Sequence, residues 1–98
     1  MTLRVLIAVT HLLGVGHLAR AAAIARGLAR AGHAVTLVSG GRPAPLIATD
    51  GVRLVQLPPV HVEGTAFSAL LGENGGPAGE ALMARRRDLL LDALADTR

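Results

Sequence analysis

The chain contains no cysteine, tryptophan, tyrosine or lysine, and a single phenylalanine, Phe67. Without cysteine there is neither a disulfide framework nor a thiolate metal site, which is how an intracellular, cytoplasmic chain reads. With almost no aromatics, the core must come from many small aliphatic contacts; 51% of the 98 residues are hydrophobic, mostly Ala, Leu and Val. A single domain of this size buries only about two-thirds of its unfolded surface, so its stability margin is thin. All ten basic residues are arginine and exceed the seven acids, giving a net charge of +3. A basic balance can attract polyanions. These arginines are scattered and have no stacking platform beside them, so nucleic acid is not an expected partner. Long apolar runs are missing too: no stretch approaches the roughly 18 residues of a membrane span. The opening "MTLRVLIAVTHLLGVGHLARAA" superficially resembles a signal peptide. It is broken by His11, Gly14, Gly16 and His17 and runs directly into a periodic helix. There is no G-x-S-x-G nucleophile elbow. His11, His17, His33 and His61 lack a compact ligand spacing, so no metal site is expected.

What is present has the rhythm of an α/β domain. Residues 3–9, "LRVLIAV", are almost continuously apolar, as in a strand buried on both faces of a parallel sheet. Residues 10–16 form a glycine-bearing loop. Residues 17–31 have helical spacing, with Leu18, Ala21, Ala22, Ala25, Leu28 and Ala29 on one face. Gly32 stands where a left-handed C-terminal residue is wanted. Residues 33–38 form a second strand, making a βαβ crossover with parallel strands and a right-handed connection. "SGGRPAP" reads as a loop, 45–49 as a short helical turn and 52–57 as a third strand. A long irregular stretch follows, with one turn around Ala66–Leu71. Helical periodicity resumes over 79–96, where Leu82, Leu89, Ala93 and Ala95 can face the core, with Leu90, Leu91 and Leu94 nearby. The expected fold is thus a Rossmann-like open parallel sheet of three strands and two helices, thin and one-sided. A loop of about twenty residues in so small a domain suggests function. It follows the carboxyl end of a strand, where open α/β sheets bind ligands.

The first glycine loop admits two chemistries. Gly14-Val15-Gly16-His17-Leu18-Ala19 fits G-x-G-x-x-G/A, the dinucleotide fingerprint. Yet four residues separate Gly14 from the end of the first strand. The second strand ends in "VSGGR" with no acid for a ribose hydroxyl, leaving only Arg42 to meet an NADP 2′-phosphate. The other chemistry centres on Gly16-His17. A glycine before a helix lets a ligand approach the backbone, and the first amides supply donors at a positive dipole end. A neutral imidazole there can take the proton of a hydroxyl as its oxygen attacks an electrophilic carbon.

The ordered set "GVGHLARA", "AGHAVT" and "SGGRP" resembles the start of GT-B glycosyltransferases, especially bacterial predicted glycosyltransferases of MurG-like type. The match is clear over residues 3–43 and looser beyond. The resemblance implies that 1–98 is the N-terminal part of an acceptor-side Rossmann-like domain. The donor-binding domain would lie outside these residues, in cis or on a separate subunit. It implies His17 as general base and Gly14 and Gly16 as acceptor-binding positions. The substrates would be a nucleotide sugar and a hydroxyl acceptor, with no further cofactor. The expected setting is cytoplasmic, with room for peripheral contact at the inner face of the membrane. Many relatives carry Asn-Pro after "GH", where this chain has Leu18-Ala19-Arg20, so their acceptor contacts do not transfer.

Each candidate has a plainer reading. His17 could be an ordinary first-turn residue. Arg20, three positions on and roughly on the same helix side, could meet an acceptor phosphate or carboxylate, or be solvated. Ser39 could touch acceptor or simply make a turn. His11 reads as a solvated loop residue, His33 as structural, and His61 has no identifiable partner. Of Arg85, Arg86 and Arg87, at least one should lay its stem over the apolar face. Glu63 and Glu73 fall in the long loop, where nothing fixes them as a hydrolytic pair. Three functions remain open: a glycosyltransferase portion, an NAD(P)-type nucleotide-binding module, and a non-catalytic acceptor-side subunit of a split glycosyltransferase.

Overall fold

The computed structural model describes residues 2–63, 70–72 and 75–97. Its elements are β1 (Arg4–Val9), α1 (Gly16–Arg30), β2 (Ala34–Ser39), β3 (Arg53–Gln56) and α2 (Glu80–Thr97). The strands form one parallel sheet in the order β1-β2-β3. Arg4 to Val9 lie opposite Ala34 to Ser39, and Thr36 to Ser39 opposite Arg53 to Gln56. This is the expected Rossmann-like open α/β arrangement, with each expected main element present and its ends shifted by a residue or so. The expected turn around Ala66–Leu71 falls largely outside the described residues. Of residues 45–49, expected as a short helical turn, 45–46 lie in a single turn closed by Ile47 N donating to the Ala44 carbonyl at 3.1 Å, and 48–49 are irregular.

Alternation along β2 organises the core. Leu37 packs on one face with Leu18, Ala21 and Ala22 of α1, supported by Ile7 and Val9. Val38 points the other way, to Leu57 and to Ala93 of α2, supported by Leu6, Val55 and Leu90. The sheet is therefore covered on both faces, not one-sided, because adjacent strand residues serve opposite helices. Ala22 and Ala25 are fully buried; their small side chains let α1 lie close to the sheet. The helix ends as its sequence demands. Gly32 has φ +96°, and the amides of Gly32 and His33 donate to the carbonyls of Ala29 and Leu28. His33 is structural as expected: its Nδ1 accepts a 3.0 Å hydrogen bond from Leu3 N, tying the entry of β1 to that of β2.

Two expectations need correction. β1 is not buried on both faces; Arg4 and Ala8 are exposed and the rest half-buried. It is an edge of the described sheet, with β2 on one side only. On α2, Ala93 is buried, but Leu89 and Ala95 are exposed. The face toward the sheet runs through Leu82, Arg86, Leu90, Ala93 and Thr97. Arg86 belongs to it because its guanidinium reaches backbone carbonyls at the carboxyl ends of the strands.

Candidate functional site

Parallel strands deliver their outgoing loops to one edge, and here those loops are fastened to each other. The Gly40 amide donates to the Val9 carbonyl at 2.8 Å, the Leu57 amide to Ser39 at 2.9 Å, and the Val60 amide to Gly40 at 3.2 Å. Arg86 Nη1 donates to the carbonyls of Gly40 at 2.7 Å and Pro58 at 2.6 Å, with Nη2 3.4 Å from Thr10 Oγ1. Burial holds this guanidinium below its ordinary pKa, because part of its hydration shell is gone. Gln56 Nε2 donates to the Gly41 and Leu57 carbonyls at 2.7 and 2.8 Å, with a longer contact to Ser39. A β-carbon on Gly40 would strike Thr10 and Arg86, and one on Gly41 would strike the carbonyl and ring of His11. These two glycines are demanded by packing.

The first glycine loop is built differently. Gly14, Gly16, His17 and Arg20 together line an open hollow of about 370 Å³. A β-carbon at Gly14 or Gly16 would meet nothing within 4 Å, and neither residue has a positive φ. Neither packing nor backbone geometry accounts for glycine there. Val15 precedes the helix without a side-chain cap, and the first turn of α1 carries no acid. The first intrahelical bond is Ala19 N to Val15 O at 2.8 Å. The amides ahead of it project from a helix end of positive polarity. His17, the second residue of α1, is exposed beside them, and Arg20 lies one turn along.

Ser39 is not part of this group. It is buried at the end of β2, and its Oγ has no hydrogen-bond partner among the described residues. Its carbonyl, not its hydroxyl, holds the strand-end loops through Leu57 N and Gln56. His11 is buried at 4% exposure rather than solvated, because Gly41 packs against its ring. His61 does have a neighbour: its Nε2 is 3.6 Å from Glu63 Oε1, within ion-pair reach but without a hydrogen bond. The His61 backbone exchanges hydrogen bonds with Leu71 at 3.0 and 2.8 Å, which seats the ring at 3% exposure. Both imidazoles line a second hollow of about 390 Å³ with Arg42 and Glu63. Sequence reasoning missed this pairing, since 50 residues separate the two histidines; the glycine pair after β2 was the available signal. Among the described residues no group of three His, Asp or Glu side chains could hold a metal ion. No helix there is long and apolar enough to cross a membrane. In comparisons with known proteins, the chain matches no family model, no curated protein and no solved structure.

Proposed function

We propose that this chain forms the N-terminal, acceptor-side part of a MurG-like GT-B glycosyltransferase that moves a hexosyl group from a nucleotide sugar to a hydroxyl acceptor. One observation carries the reading: His17 is exposed at an uncapped helix N-terminus, in a hollow bordered by two glycines that the fold itself does not require. Such a loop leaves backbone free for close approach by a ligand. It agrees with the residues on which the resemblance of "GVGHLARA" to that superfamily rests.

In this mechanism the acceptor hydroxyl lies against a ring nitrogen of His17. The imidazole takes the hydroxyl proton as the oxygen forms its bond to the anomeric carbon. The bond from that carbon to the nucleoside diphosphate breaks, and the diphosphate leaves with the electron pair. Gly14 and Gly16 admit the acceptor, and Arg20 meets an anionic group on it. The donor is bound mainly by a second domain, in cis or on a separate subunit. Peripheral contact with the membrane face fits a lipid-borne acceptor.

The test is sugar transfer by the full enzyme carrying His17→Ala. Loss of a base should lower turnover by about 10²–10⁴-fold. Unchanged turnover would remove His17 from the chemistry. Titration with NADPH separates the dinucleotide reading: saturable binding abolished by Gly16→Val would replace the transferase proposal.

A further inference from the structure

A different hollow, of about 440 Å³, lies at the ends of β2 and β3 and is lined by Arg42, Arg85, His61 and Gln56, with an apolar wall that includes Pro43 and Leu89. It shares no residue with the hollow of His17, so a ligand held there is independent of the transferase reading. Arg42 and Arg85 are both exposed, and among the described residues neither has an ion pair or a side-chain hydrogen bond. Among the described residues the arginine ion pairs are made elsewhere, by Arg53 with Asp96 and Arg87 with Asp88, and the Glu63 carboxylate lies 3.6 Å from His61 Nε2. Glu63 lines the adjoining hollow, not this one. Two arginines without an ion pair among the described residues thus line one concavity. His61 lines the same concavity; among the described residues its buried Nε2 has no hydrogen-bond partner, the nearest carboxylate oxygen being that of Glu63 at 3.6 Å.

The two arginines are also held by their backbones. Arg42 follows Gly40 and Gly41, whose carbonyls are gripped by Arg86 and Gln56. Arg85 directly precedes Arg86, which is anchored on the Gly40 and Pro58 carbonyls. Fixing the backbone from which each charged side chain extends removes part of the ordering cost of binding and leaves the side-chain part. From this arrangement we infer that the hollow is a binding site for an organic phosphate monoester, its phosphoryl group between Arg42 and Arg85 and its carbon body against Pro43 and Leu89. A carboxylate has one charge and two oxygens, which a single guanidinium satisfies in a fork. Two guanidiniums match the dianion and three terminal oxygens of a phosphate monoester.

The test is titration of the chain with phenyl phosphate at neutral pH and low ionic strength, followed by calorimetry and backbone amide NMR. Saturable binding is expected, with shifts confined to residues 40–43, 56–61 and 85–89. Arg42→Gln and Arg85→Gln should each weaken it about tenfold, the loss of one charge-assisted contact. Arg30→Gln, at the far end of α1, should leave it unchanged. Both arginines of the hollow are exposed and unpaired, so an unchanged Tm checks that each variant is folded. Benzoate and inorganic phosphate should both bind more weakly than phenyl phosphate. The site is overturned by absence of saturation, by shifts centred on Gly14–Arg20, or by an equal loss in Arg30→Gln. Benzoate binding as tightly overturns the phosphate assignment, and inorganic phosphate binding as tightly overturns the organic one.

Discussion

Glycine serves two purposes in this chain, and single substitutions tell them apart. Gly41 sits against the carbonyl and ring of His11, so a methyl group there must displace a buried loop. Gly41→Ala should cost about 1–3 kcal/mol of stability, read as a lowered denaturant midpoint. Gly16 opens α1 with empty space in front of it, and Gly16→Ala should leave stability equal or raise it by about 0.5–1 kcal/mol. If Gly16 serves an acceptor, the same stable variant transfers sugar poorly; full transfer by that variant would argue that the loop admits nothing. In the sequence the two pairs look alike. What separates them is the neighbour each meets in space, and for Gly41 that neighbour lies 30 positions earlier. The position of His17 at the helix mouth was legible because its surroundings are local: a glycine before it, a helix after it. The burial of His11 and His61 was not, because it depends on loops from different strands closing over them.

At the scale of elements, the difference between the two helices is instructive. α1 could be placed, face and all, because apolar residues recur at helical spacing on one side and the arginines fall on the other. α2 could be placed along the chain but rotated only in part: Leu82 and Ala93 lie toward the sheet as expected, whereas Leu89 and Ala95 do not. Its leucines surround much of the helix, so periodicity gave no single face. Its orientation follows from Arg86, whose guanidinium serves the carbonyls of Gly40 and Pro58, a long-range polar requirement that hydropathy does not encode. Arg86→Ala removes charge-assisted donors from two carbonyls at once and should destabilise the chain by about 2–4 kcal/mol. Arg86→Lys should recover only part of this, since an ammonium lacks the planar fork. Equal stability of Arg86→Ala and the parent in urea would mean that α2 is oriented by Leu90 and Ala93 alone.

For the whole molecule, the apolar character of β1 identified a parallel strand but overstated its cover. The run "RVLIAV" is suited to a central position, whereas in the described sheet β2 takes that place. From Val35 to Ser39 every residue of β2 is buried, with a strand on each side and a helix over each face. Amide hydrogen exchange should therefore be slowest in β2 and faster in β1 and β3, whose outer edges carry no strand among the described residues. Equal protection across all three strands in the isolated chain would show that the edges are covered in solution. The α/β class and the strand order follow from element sequence and crossover rules that need only local patterns. The assembly of the strand-end loops does not, because it is written in carbonyl-to-side-chain contacts between distant positions.

That Arg86 grips Gly40 and Pro58 and reaches Thr10 has a mechanical outcome. Three segments leaving three neighbouring strands are riveted at one point, so none can swing outward without straining the other two. The rim of this sheet thus yields as a single plate.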